Sequence, residues 1–176
     1  MTNRTLQLDA YQVDAFTDRA FSGNPASVVM LDAWLDDATL AAIAAEHNLA
    51  ETAFIVPGAE IHELRWFTPA CEVDLCGHAT LASAHVLLHC RDGFSAPLRF
   101  ATRYAGELGV EEIDGMLWLD FPARVATRLA QAPAAVEKAL GARSSEWHTS
   151  VNHLAVFDDA ATVAALEPDM RALAAC

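Results

Sequence analysis

The sequence predicts an α+β fold in which several strands surround one buried helix, and three observations carry that expectation. The stretch "VDLCGHATLASAHVLLH", residues 73–89, has almost no charged face, and a helix that is apolar nearly all round is a buried one. On both sides of it run short alternating or apolar segments bounded by Gly, Pro and Asn, which read as strands. Strands and helices do not alternate regularly, so a doubly wound parallel sheet is not the expected arrangement.

The elements follow in order. "LDAYQVDAF" alternates and carries Val, Tyr and Phe, which reads as a strand; "FSGNP" is a turn, and "ASVVML" is a short buried strand. "LDDATLAAIAAEHN" reads as a helix with an Asp cap, a face of Leu40, Ile43, Ala44 and His47, and Asn48 in a left-handed C-terminal position. "ETAFIV" returns to strand, a Pro-Gly turn follows, and "HELRWFT" is a second strand ended by Pro69. The buried helix comes next, with Asp74 in position to cap its start. After Gly93, "PLRFATRYA", "ELGVEEI" and "MLWLDF" are strands, the last two joined by the hairpin signal Asp114-Gly115. A boundary is expected near "FPARVATRLAQAP", dividing residues 1–125 from 126–176. Beyond it come a helix in "PAAVEKALG", with Pro133 at its first turn and Gly141 at its end, a strand in "SVNHLAVF" and one helix in "DAATVAALEPDMRALAA".

An internal echo bears on the second segment. Residues 24–43, "NPASVVMLDAWLDDATLAAI", and 152–166, "NHLAVFDDAATVAAL", share Asn, a short apolar strand, an Asp-rich break and an Ala-Thr helix. Glu51 lies 27 residues after Asn24 and His78 lies 54 after it, so counterparts in a second copy would fall near 179 and 206. The chain stops at 176, so the second copy is expected to be truncated before its chemistry.

Composition excludes several partners. The 176 residues hold 11 Lys and Arg against 24 Asp and Glu, for a net charge of −13, and Lys138 is the single lysine. A phosphate-binding surface needs clustered basic side chains, so no nucleic-acid partner is expected, and anionic membranes are disfavoured for the same reason. The N-terminal stretch has no apolar run of leader type and no segment approaches a membrane span, so a cytoplasmic location is expected. Cysteines at 71, 76, 90 and 176 then stay reduced.

Four readings compete around residues 71–90. Cys71, Cys76, His78, His85, His89 and Cys90 are dense, but there is no Cys-x-x-Cys pair and helix-face histidines are common without metal, so no metal is expected. Cys76 at a helix start is open to activation as a nucleophile, although a free cysteine is more often a small buried residue. The helix N-terminus with Gly77 offers amides to a carboxylate, with His78 beside it able to donate a hydrogen bond or hold a proton. Glu51, between "HNLA" and the apolar "TAFIV", is a candidate general acid/base at the mouth of an apolar enclosure.

The combination "FSGNPASVVML", "HNLAETAFI" and "LRWFTPACEVDLCGHATLASAHVL", with the later "NHLAVF", resembles the PhzF (phenazine biosynthesis) family of isomerases over nearly the whole chain. That resemblance implies a diaminopimelate-epimerase-like fold of two similar halves, each a mixed, curved sheet wrapped round a central helix. It implies a cofactor-independent isomerase or epimerase, acting as a homodimer on a small carboxylic acid and moving a proton between its carbons. Glu51 matches the family's general acid/base, and Gly77 and His78 its substrate-contacting pair. In the related epimerases a cysteine at the place of Cys76 transfers the proton, which keeps Cys76 as a minor alternative. A second-half motif of the Glu-Asp-Pro-x-Thr-Gly-Ser type has no counterpart here. The alternative expectation is therefore a catalytically inactive truncated homologue, serving as a fold remnant or as a subunit that pairs with a partner.

Overall fold

A computed structural model describes residues 6–176; Met1–Thr5, part of the stretch read above for a leader, lie outside the described residues. The chain falls into two compact units, residues up to Pro122 and Ala123–Cys176.

The first unit is built on one mixed sheet. Strand β1 (Asp9–Ala15) pairs antiparallel with β2 (Asn24–Met30), and β2 lies parallel to β3 (Glu51–Val56). The crossover between them is helix α1 (Asp37–His47). Strand β4 (His62–Phe67) is antiparallel to β3, carries the two-residue β5 (Glu72–Val73), and runs parallel to β6 (Leu98–Thr102). The second crossover is helix α2 (Gly77–His85), continued by a π-helical turn over Val86–Cys90. Antiparallel β7 (Glu107–Ile113) and β8 (Met116–Asp120) complete the sheet through a turn in which Asp114 and Gly115 both have positive φ, the geometry that the Asp-Gly pair predicts.

Local chemistry explains α1. The Asp36 carboxylate accepts the Thr39 amide at 3.0 Å, Leu40 and Ala44 are buried, and Asn48 ends the helix in the left-handed region at φ 51°. That turn delivers the chain directly to Glu51.

Strands β2 and β3 are buried on both faces, so "ASVVML" reads as an unbroken apolar run. Ala26, Val28 and Met30 join Ala53 and Ile55 in the core shared with α2, while Val29, Leu31 and Phe54 meet Leu40 and Ala44 of α1. Removing a side chain such as Phe54 or Leu64 from this packing would cost about 2–5 kcal/mol.

The sheet curls around α2: the helix packs against β1, β2 and β3 at one side of the strand order and against β8 at the other. Apart from His78 in its first turn, its buried residues are small (Ala79, Thr80, Ala82, Ser83 and Ala84), so backbone and strands approach closely. The Thr80 and Ser83 hydroxyls donate to the carbonyls of Cys76 and Ala79, which leaves neither unsatisfied in the core. This is the α+β fold expected, a curved mixed sheet around a buried central helix.

The second unit holds a three-stranded antiparallel sheet of β9 (Thr127–Arg128), β10 (Glu146–Thr149) and β11 (His153–Val156), with helices α3 (Ala134–Leu140), α4 (Ala160–Ala164) and α5 (Met170–Leu173). Helix α3 ends at Gly141, φ 75°, and packs on α5. The echo between the segments is also structural. Asp159 caps α4 by accepting the Thr162 amide, as Asp36 does for Thr39, each after a short strand.

Three local expectations are corrected. The helix expected over 159–175 is two short ones, because Pro168 has no N–H to continue it and restricts Glu167 before it. Asp74 does not cap α2; Cys76 is the N-cap residue and makes no side-chain cap bond. Strands β5, β9 and β10 were not expected; β5 and β9 are two residues each and exist only through pairing with a neighbour.

Candidate functional site

The geometry of β3 and α2 brings together three of the residues singled out in the sequence. Glu51 opens β3 and lies in register with Ala26 of β2, at the end of the sheet where Asn24 and Pro25 enter. Cys76 has extended backbone (φ −139°, ψ 115°), so the chain turns abruptly into helix at Gly77 and places His78 in the first turn. One oxygen, sulfur or nitrogen from each of Glu51, Cys76 and His78 lies within 4.8 Å of the others.

His78 is the hub of this group. Its Nδ1 stands 3.5 Å from Cys76 Sγ, and its Nε2 stands 3.2 Å from Glu51 Oε2. The second distance is in ion-pair range, yet the ring N–H is not aligned on the carboxylate, and Nε2 is buried with no hydrogen-bond partner. We take the pair as a close electrostatic contact and not as a formed hydrogen bond. The Glu51 side chain keeps 21% of its surface exposed, whereas those of His78 and Cys76 are buried. The carboxylate is therefore the open side of the group.

Cys76 does not have the character of an activated nucleophile. Burial pushes its thiol up to about 12, and the nearby Glu51 charge acts in the same direction. The amides of Ala79 and His78 face the sulfur and oppose the shift without reversing it. Of the two readings of Cys76, the small buried residue fits this position better, because desolvation outweighs the amides of the helix start. The Thr80 amide is held by the Cys76 carbonyl at 3.3 Å, so the helix start does not present four free amides to one spot.

Gly77 answers to a neighbour that sequence reading did not single out. A Cβ on residue 77 would lie 3.3 Å from Phe121 Cε2, so the ring of Phe121, just past β8, occupies the space a side chain would need. Nothing in "LDFP" marks Phe121 as different from any other strand-end aromatic.

The remaining histidines and cysteines stay apart from this group. His85 and His89 lie one turn apart with tilted rings, centroids 4.9 Å, and His89 Nε2 is 3.7 Å from Glu112. Cys71, Cys90 and Cys176 are exposed free thiols. Among the described residues, Glu51, Cys76 and His78 form the one cluster of three His, Cys, Asp or Glu side chains with convergent ligating atoms. A shallow depression of about 510 Å³ runs along α1, lined by Ala38, Thr39, Ala42, Ile43, Glu46 and His47, and brings no second carboxylate to Glu46. No helix among the described residues is long and apolar enough to cross a membrane.

Comparison with known proteins bears on the fold and the family. The family model of phenazine biosynthesis-like proteins (PhzC-PhzF) matches residues 13–176. An uncharacterized isomerase of Pseudomonas aeruginosa is 52% identical over 168 residues, which are 96% of this chain and 64% of that protein. The human phenazine biosynthesis-like domain-containing protein is 46% identical over 125 residues, 66% of this chain and 43% of its own. The crystal structure of a PhzF-family protein from Enterococcus faecalis superimposes with a TM-score of 0.87 at 41% identity, covering 97% of this chain and 65% of that one. The chain thus spans somewhat less than two thirds of the length of these bacterial relatives. With the motif residues, the curved sheet and the match over residues 13–176 in agreement, the chain belongs to the phenazine biosynthesis-like (PhzC-PhzF) family.

Proposed function

We propose that this chain carries the acid/base half of a cofactor-independent isomerase site, in which Glu51 moves a proton between carbons of a small carboxylic acid. The observation that carries the reading is the placement of a partly exposed carboxylate 3.2 Å from a buried imidazole at the start of the central helix. The Glu51 carboxylate takes a proton from a carbon next to a carbonyl or double bond, and the C–H electron pair moves into that π system. The protonated Glu51 then returns the proton to a different carbon, which restores the enzyme and shifts the double bond. His78 Nε2, lacking any other partner, is available to donate to an oxygen of the substrate or to steady the carboxylate. Gly77, whose missing side chain leaves room for the Phe121 ring, shapes the helix start beside them.

The test is exchange in deuterium oxide. A panel of small unsaturated carboxylic acids is incubated with the protein, and deuterium on carbon is followed by NMR. Exchange that disappears in Glu51→Gln supports the assignment, and exchange that persists in that variant overturns it.

A second reading, a catalytically silent protein that acts by association with another chain or copy, draws on a different observation. The second unit exposes Val151, Leu154, Val163 and Met170, more apolar surface than its small sheet needs. No exchange across the panel, together with a stable oligomer in size-exclusion chromatography, would favour it.

A further inference from the structure

We propose that Glu51, Cys76 and His78 form a capture site for a divalent transition ion of the zinc class, and that occupation of this site disables Glu51. A thiol, an imidazole and a carboxylate are the donor set that zinc and cobalt take, whereas magnesium and calcium require oxygen donors throughout. In a tetrahedral site with metal–sulfur near 2.3 Å and metal–nitrogen near 2.0 Å, neighbouring ligand atoms sit about 3.2–3.7 Å apart. One ligating atom from each of the three lies within 4.8 Å of the other two, so a short closing movement brings the donors to that spacing. A single nitrogen of the ring takes the ion, and the sulfur and the carboxylate close on that side of the ring.

An independent feature points to the same place. His78 is 8% exposed, and its Nε2 has no hydrogen-bond partner although native proteins nearly always satisfy such an atom. The nitrogen faces Glu51, the one member of the group that solvent reaches, so an ion has a path in and a fourth position open to water. As the sulfur–metal bond forms, the thiol proton leaves to solvent. The thiolate and the carboxylate then balance the charge of the ion.

Binding rests on the geometry alone; the loss of proton transfer rests on the reading of Glu51 given above. The experiment is a Co2+ titration of the full chain followed by absorption spectroscopy. A thiolate-to-cobalt charge-transfer band is expected, displaced by Zn2+, retained in the triple variant Cys71→Ser, Cys90→Ser, Cys176→Ser, and lost in Cys76→Ser. Glu51→Gln is expected to weaken the affinity about tenfold or more. In the triple variant Cys76 is the sole thiol, so a band there can arise from no other residue, and its absence overturns the proposal even if Cys76→Ser does not fold. A band that survives in folded Cys76→Ser overturns it as well. Should the deuterium-exchange test fail while the cobalt band appears as described, the metal site stands and only its inhibitory consequence falls.

Discussion

The Phe121 ring closes over Gly77, and a Cβ at position 77 would fall 3.3 Å from Phe121 Cε2, tighter than side chains ordinarily pack. The contact joins the end of β8 to the first turn of the central helix, three strands earlier in the chain. It holds the helix start, and with it Cys76 and His78, against the far end of the curled sheet.

That relationship predicts the behaviour of Gly77→Ala. The ring must give by a few tenths of an ångström, and overpacking of this kind costs about 1–3 kcal/mol. Urea denaturation of Gly77→Ala is expected to show the lower half of that range, and Phe121→Leu in the same chain is expected to recover part of it. Additive losses in the double variant would show that the two residues are not in contact.

Thiol reactivity separates the four cysteines. Cys71, Cys90 and Cys176 are exposed and Cys76 is buried, its thiol pushed up to about 12. Native protein at neutral pH is expected to take three equivalents of an alkylating reagent, and denatured protein four, as read by mass spectrometry. Because the folded value lies above the ordinary thiol value of 9.0, the unfolded chain ionises first as pH rises. The stability contributed by the buried thiol is therefore full below about pH 9 and is lost between there and about 12. Rapid modification of all four cysteines in the native state at pH 7 would contradict the burial.

Acid sensitivity is expected from His62. It is buried on β4, accepts the Gly58 amide at Nδ1 (3.2 Å), and packs against the rings of Phe94 and Phe100. Burial holds its pKa below the ordinary 6.5, so the unfolded chain binds the proton first as pH falls. Stability is present above pH 6.5 and is lost as pH falls through the lower folded value. His85, lowered by burial and by His89, contributes in the same direction. His62→Gln keeps an acceptor for Gly58 and removes the titration, so its denaturation midpoint is expected to change less between pH 7 and pH 5 than that of the parent. An unchanged pH slope would remove His62 from this role.

Much of the fold was legible because its causes are local. Asp36 and Asn48 bracket α1 through their own backbone geometry, Asp114-Gly115 makes its hairpin, and the lack of charge over residues 79–88 requires a buried helix. What was misread needed partners from elsewhere. A two-residue strand such as Glu72–Val73 has no periodicity and becomes a strand only beside Trp66 and Phe67. Asp74 has the chemistry of a cap but lies two residues before the N-cap position, out of place for the helix amides.

The candidate site divides along the same line. Which side chains were able to act was readable from residue type, because carboxylate, imidazole and thiol chemistry belongs to the residues Glu51, His78 and Cys76 themselves. Their convergence was decided only by the tertiary structure, since the parallel register of β2 and β3 sets the position of Glu51 while the curl of the sheet sets that of α2. The state of Cys76 also belongs to the fold: a helix start favours the thiolate, but burial and a neighbouring carboxylate outweigh it. Phe121 against Gly77 is a contact between segments more than forty residues apart, and no local pattern could announce it.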